Sequence, residues 1–160
     1  DGKVVMMIEK FTIELKSGKL TVKQQAEYLK MLVHMVGDIH QPLHVGKPGD
    51  RGGNNVKVKW AGEDSNLHRV WDSDMIDDTK LSYTELTASL GKPTAETVKK
   101  WQRTSVRDWA NESMTLRPQV YDIGKGNLGY RYSYVNMPSV RERILKAGVR
   151  IAGLLNQIYG

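Results

Sequence analysis

The stretch TVKQQAEYLKMLVHMVGDIHQPLH, residues 21–44, mixes apolar and polar residues at a helical period. Thr21 brings a hydroxyl suited to cap a helix. Ala26, Leu29, Leu32, Val33 and Val36 then recur three and four residues apart, which sets them on one face toward a core. Pro42 has no amide hydrogen and its ring crowds the preceding turn, so the helix must stop near His40. His34 and Asp38 stand four apart near that end. They share a face and can present an imidazole and a carboxylate to a single ion.

Working outward, Val4, Val5, Ile8, Phe11 and Leu15 repeat at helical spacing between Gly2 and Leu15, and Ser17-Gly18-Lys19 closes that segment. Downstream, residues 47–53 have loop composition. Val56, Val58 and Trp60 then alternate with Lys57 and Lys59 as in a half-buried strand, and residues 61–64 read as a turn. Ser65 or Asn66 can cap a third helix running through His68, Val70, Trp71 and Met75. A short helix over Thr84–Leu90 ends at Gly91-Lys92-Pro93. One further helix is expected from Pro93 and Thr94 through Trp101 and Trp109 to just before Pro118. Residues 122–129 read as loop, and Ser139–Ile158 as a last amphipathic helix with an apolar stripe from Val140 to Ile158. The fold class expected is all-α with one small β-hairpin, over a single domain spanning residues 1–160.

All four histidines fall between positions 34 and 68. His68 and Asp72 repeat the four-residue spacing of His34 and Asp38 on a second helix. One such pair is ordinarily a surface hydrogen bond worth tenths of a kcal/mol. Two pairs with His44 as a further imidazole point instead to clustered metal ions, because zinc takes nitrogen and oxygen ligands in small shells. Pro42 is expected to swing His44 away from the His34 and Asp38 face so that it joins His68 and Asp72. Two subsites follow. His40, at the helix end, reads as a capping or supporting group instead of a ligand. With no cysteine in the chain, thiolate ligands and disulfides are excluded. No His-Glu-x-x-His run and no Walker or Rossmann glycine loop is present, which disfavours a metalloprotease or a nucleotide fold.

The composition, 39% apolar and 26% charged, holds no run of about 18 apolar residues that would span a bilayer. A net charge of +6 favours acidic partners such as nucleic acid. Residues 1–8 carry neither the apolar core nor the cleavage site of a signal peptide, so the expectation is a chain that starts mid-protein.

The segments His34-Met-Val-Gly-Asp38-Ile-His40-Gln-Pro-Leu-His44, Gly52-Gly53-Asn54 and Asn66-Leu-His68-Arg-Val-Trp-Asp72 resemble the S1/P1 nuclease family. Weaker likeness extends to Trp109-Ala-Asn-Glu-Ser113 and to the closing stretch Ala147–Asn156. The resemblance implies a helical fold shared with zinc-dependent phospholipases C and a cluster of three zinc ions. It implies an endonuclease that cuts single-stranded DNA and RNA to 5′-phosphorylated products and also acts on 3′-nucleotides. A phospholipase C, or a zinc-binding fragment without turnover, is the alternative. Carried over by position, His34 and Asp38 would ligate one ion of a close pair, with Asp38 bridging to its neighbour and so acting in catalysis. His44, His68 and Asp72 would hold a more separate zinc, and Asn54 would line a base pocket. In the family the close pair is completed by ligands upstream of this region, which have no match here. The resemblance therefore implies an incomplete domain, the C-terminal portion, whose partner is the missing N-terminal portion of the same protein. It also implies a secreted or periplasmic location.

Overall fold

The computed structural model describes residues 2–160; Asp1 lies outside the described residues. α1 (Lys3–Lys16) and α2 (Val22–His40) form an antiparallel pair. Thr21 caps α2 with a full capping box, its hydroxyl taking the Gln24 amide while the Gln24 side chain takes the Thr21 amide. Val5, Ile8, Phe11 and Leu15 of α1 meet Leu32, Val36 and Ile39 of α2 in one apolar cluster.

The chain then builds a three-stranded sheet of order β2-β1-β3 from β1 (Lys57–Trp60), β2 (Glu63–Asn66) and β3 (Asn127–Leu128). β1 and β2 pair antiparallel through a two-residue turn at Ala61 and Gly62, both with positive φ. Val58 and Trp60 point inward and Lys57 and Lys59 outward, as the alternation predicts. β3 was expected to be loop. A two-residue strand offers no alternation to detect, and it exists because β1 lends it a parallel edge at Lys59 and Trp60.

Beyond β2 come α3 (Leu67–Arg69), a π-helical turn (Val70–Asp74) and α4 (Met75–Asp77), in place of one uniform helix. α5 (Tyr83–Ser89) follows. The single helix expected from Thr94 to Pro118 is divided into α6 (Ala95–Gln102), α7 (Val106–Thr115) and α8 (Arg117–Val120). Ser105 causes the first break by forming its own capping box with Asp108. α9 runs from Tyr130 to Tyr159, starting nine residues before the expected Ser139. Pro138 sits inside it because both Pro138 and Tyr134, whose carbonyl loses its donor, are exposed to water.

α9 serves both hydrophobic clusters. Tyr132 and Val140 pack with Leu43, the sheet, Trp71 and Met75, while Ile151, Leu154 and Ile158 pack with α1, α2 and Trp109 of α7. The segment after α2 lies at the seam, with Ile39 in one cluster and Leu43 in the other. The helical class of the chain matches the expectation, with the hairpin enlarged by one strand.

Candidate metal centre

Three elements converge at that seam. The last turns of α2 carry His34 and Asp38, the turn after Pro42 carries His44, and α3 with the π turn carries His68 and Asp72. The backbone doubles back at once beyond α2, through bonds from the His44 amide to the Gln41 carbonyl and from the Gly46 amide to the Leu43 carbonyl. His44 therefore does not leave the Asp38 face as expected. Its Nδ1 lies 3.5 Å from Asp38 Oδ2 while its Nε2 lies 3.6 Å from Asp72 Oδ1.

The five side chains thus form one row of alternating imidazoles and carboxylates. His34 Nε2 is 3.2 Å from Asp38 Oδ2 at one end, and His68 Nε2 is 2.9 Å from Asp72 Oδ2 at the other. The ligand atoms of His44, His68 and Asp72 all fall within 4.8 Å of one another, and their rings and carboxylate are part-exposed. His34 is the most exposed member, at 68% of its side chain.

The donor chemistry fits a divalent transition metal. His68 Nδ1 donates to the Gly52 carbonyl at 2.7 Å, which leaves Nε2, 2.9 Å from Asp72, as the nitrogen free to ligate an ion. The loop that supplies this carbonyl must pass very close. A Cβ on Gly52, which has φ +63°, would stand 2.5 Å from the Leu43 carbonyl, and one on Gly53 would press on Leu43 and the His68 amide. Gln41 fixes the other ligand, its amide donating to Asp72 Oδ1 at 2.7 Å while its carbonyl oxygen accepts from the Leu43 amide.

Electrostatics favour the same arrangement. The hydrogen bond to Asp72 raises the His44 pKa above its ordinary value against partial burial, with the Asp38 charge adding to it. Burial pushes the Asp72 carboxyl up, but bonds from His44 and Gln41 together with nearby His68 outweigh it and hold the group below the usual range. A metal competes with those protons for the same lone pairs.

Asn54 sits at the rim of this loop, and its side-chain amide donates to the Arg51 carbonyl at 3.0 Å, a turn contact. Of the flanking cations, Lys59 pairs with Asp64 and Lys47 lies 4.1 Å over the Tyr121 ring. Tyr121 donates in turn to Asp50, the residue whose other oxygen accepts the Gly53 amide. Burial and this carboxylate push the Tyr121 phenol up to about 12.

Behind the row lies a buried network in which His40 has the supporting place expected of it, while the roles of Glu112, Arg143 and Arg150 were not anticipated from the sequence. His40, 2% exposed, donates from Nδ1 to the Val36 carbonyl and accepts at Nε2 from Arg150. Burial and the neighbouring Arg143 lower its pKa to about 3, so the ring is a neutral acceptor and no ligand. Arg143 and Arg150 are 4% and 1% exposed and share the Glu112 carboxylate. Burial would raise Glu112, yet hydrogen bonds from the two arginines bring its pKa to about 2. The available signal was two arginines seven apart, flanking Ala147 within the apolar stripe of α9, where core residues belong.

The sequence matches the S1/P1 nuclease family over residues 1–160. Endonuclease 2 of Arabidopsis thaliana is 30% identical over 183 residues, covering 96% of this chain and 60% of that protein. Endonuclease 3 of the same plant is 34% identical over 157 residues, covering 83% of this chain and 51% of its own length. Nuclease P1 of Penicillium citrinum is 28% identical over 184 residues, covering 99% of this chain and 67% of its own length. The chain thus spans between half and two thirds of the length of these relatives.

Proposed function

Because the chain belongs to the S1/P1 nuclease family, we propose that it supplies a large part of the metal centre of a zinc-dependent endonuclease hydrolysing phosphodiester bonds of single-stranded DNA and RNA. The products would carry 5′-phosphates, and 3′-nucleotides would be further substrates. The observation that carries the reading is the continuous row His34–Asp38–His44–Asp72–His68, three of whose members put their ligand atoms within 4.8 Å.

In this reading His44, His68 and Asp72 hold one zinc, and His34 with Asp38 supplies half of a second site. Asp38, facing both His34 and His44, would couple the two and is the residue proposed to act in catalysis. When bound, zinc supplies Lewis acidity and activates water near neutral pH, so no protein nucleophile is needed. The chain's own residues orient that chemistry: Gly52 fixes the His68 tautomer, and Gln41 fixes the Asp72 rotamer. Asn54 at the rim is proposed to meet a base edge, and unpaired bases suit a site that must admit one base and one phosphate together. The +6 charge favours a polyanion, with Lys47, Arg51, Lys57 and Lys59 lying between the two His/Asp motifs in sequence.

Residues 1–160 are proposed to act as one portion of the domain, completed by the N-terminal portion that the resemblance implies. A secreted or periplasmic location, which the family resemblance implies, is part of the same proposal, and no helix among the described residues is long and apolar enough to cross a membrane.

Two measurements test the reading. The 160-residue chain should retain one zinc after purification without chelator and lose it on His68→Ala, with little hydrolysis of its own. A protein of the relatives' full length that carries this chain should cut single-stranded DNA and RNA in preference to duplex and leave phosphatidylcholine intact. Cleavage of phosphatidylcholine with nucleic acid untouched would move the assignment to a phospholipase C.

A further inference from the structure

The last turn of α2 is buried, Ile39 and His40 being 0% and 2% exposed, so the carbonyls that a helix terminus leaves without partners must be met largely from within the protein. Asp38 O takes the Gln41 amide at 3.0 Å. The next two carbonyls are met from other helices: Ser113 Oγ of α7 donates to Ile39 O at 2.6 Å, and Arg143 Nε of α9 donates to His40 O at 3.0 Å. Ser113 has no exposed surface and Arg143 is 4% exposed.

Arg143 is itself held on every side. Nη1 donates to Glu112 at 2.6 Å, and Nη2 to the Trp109 carbonyl and to Ser113 Oγ. Arg150 shares Glu112 and also donates to His40 Nε2 at 2.8 Å and to Thr104. Two buried guanidiniums on one carboxylate leave positive charge beside the negative end of the α2 dipole, where it is favourable. The planar fork lets one side chain serve two helices and a carboxylate at once, which an ammonium cannot do.

What this end of α2 carries gives the network its consequence. Asp38 lies two residues before His40, and Gln41, the partner of Asp72, follows directly after it. Small rotations of the His40 carbonyl therefore move ligands of both halves of the row. We propose that Arg143, locked by Glu112 and assisted by Ser113, is a positioning residue for the metal centre. It acts through the His40 and Ile39 carbonyls to fix the angle at which the chain leaves α2 toward Asp72 and His44. This inference rests on the metal reading given above.

The test is cobalt(II) titration of the 160-residue chain, reading both affinity and the visible absorption bands that report ligand geometry, alongside circular dichroism and thermal unfolding. Arg143→Lys keeps a cation near Glu112 but loses the fork, and is expected to weaken cobalt binding by about 10- to 100-fold with altered bands, the range seen when groups supporting metal ligands are removed. Ser113→Ala, a smaller change that keeps the fold, is expected to lose about tenfold. Thr21→Ala lowers stability from the opposite end of the same helix and is expected to leave affinity and bands as in the parent. Folded Arg143→Lys or Ser113→Ala protein with parental affinity and bands overturns the positioning role. A parent that takes up no cobalt overturns the metal assignment, and the inference with it.

Discussion

Gly52 shows how much one residue can decide. Its positive φ and the 2.5 Å that a Cβ would leave to the Leu43 carbonyl admit no side chain, yet its own carbonyl sets the proton on His68. Gly52→Ala is expected to cost about 1–3 kcal/mol of stability, since both strain and displacement act. Zinc affinity, measured by competition with a chromophoric chelator, should fall with it; unchanged affinity would detach the loop from the site. At the same scale the convergence of the histidines and aspartates was the most legible part of the chain, because such residues are few, chemically distinctive and regularly spaced. Gln41, Glu112, Arg143 and Arg150 were not legible. Their roles depend on partners 30 or more positions away, as in the 103-residue separation between Arg143 and His40, which no local spacing encodes. Glu112 also makes stability pH-dependent. Its folded pKa of about 2 lies below its ordinary value of 4.5, so its contribution is complete above pH 4.5 and is lost as pH falls toward 2. Glu112→Gln should flatten the acid limb of a stability profile in that window, measured by urea unfolding at a series of pH values.

At the scale of elements, α1 and α2 follow from periodicity, since Val5, Ile8, Phe11 and Leu15 face Leu29, Leu32 and Val36 across one seam, although Ala26 and Val33, expected on that face, are exposed. The capping box at Thr21 was read in half, as a hydroxyl at the start of a helix. Thr21→Ala should lower the unfolding free energy by about 1 kcal/mol. The elements that sequence reading missed are those whose existence depends on a distant neighbour or a local competitor. β3 is formed by the edge of β1, α6 and α7 are parted by the Ser105 cap, and α9 is carried past Pro138 by exposure on one side and burial of Tyr132 and Asn136 on the other. Tyr132 is a joint between elements, accepting from Trp71 Nε1 at 2.8 Å and donating to the Val120 carbonyl at 2.5 Å. Tyr132→Phe would leave both partners buried and unmet. A loss of about 1–3 kcal/mol in chemical denaturation is expected, against little change had the hydroxyl been idle.

Across the whole molecule, the two apolar clusters are bridged by α9, and the row of ligands lies where they meet. That placement explains why a candidate metal centre part-open to solvent rests on a buried ionic network: the proposed ligands face outward while Arg143, Arg150 and His40 hold the same segment from inside. The helical class and the ligand-bearing motifs were readable from one sequence, whereas the seam was not, since it depends on how α9 crosses α2. A bound ion should also couple to folding, because His44, His68 and Asp72 come from segments that only the folded chain brings together. The most direct measurement is anomalous X-ray scattering at the zinc edge from crystals of the chain grown with zinc. The account predicts a peak about 2.0–2.2 Å from imidazole nitrogens of His44 and His68 and from a carboxylate oxygen of Asp72. Zinc density elsewhere, with these three side chains holding only one another, would contradict it.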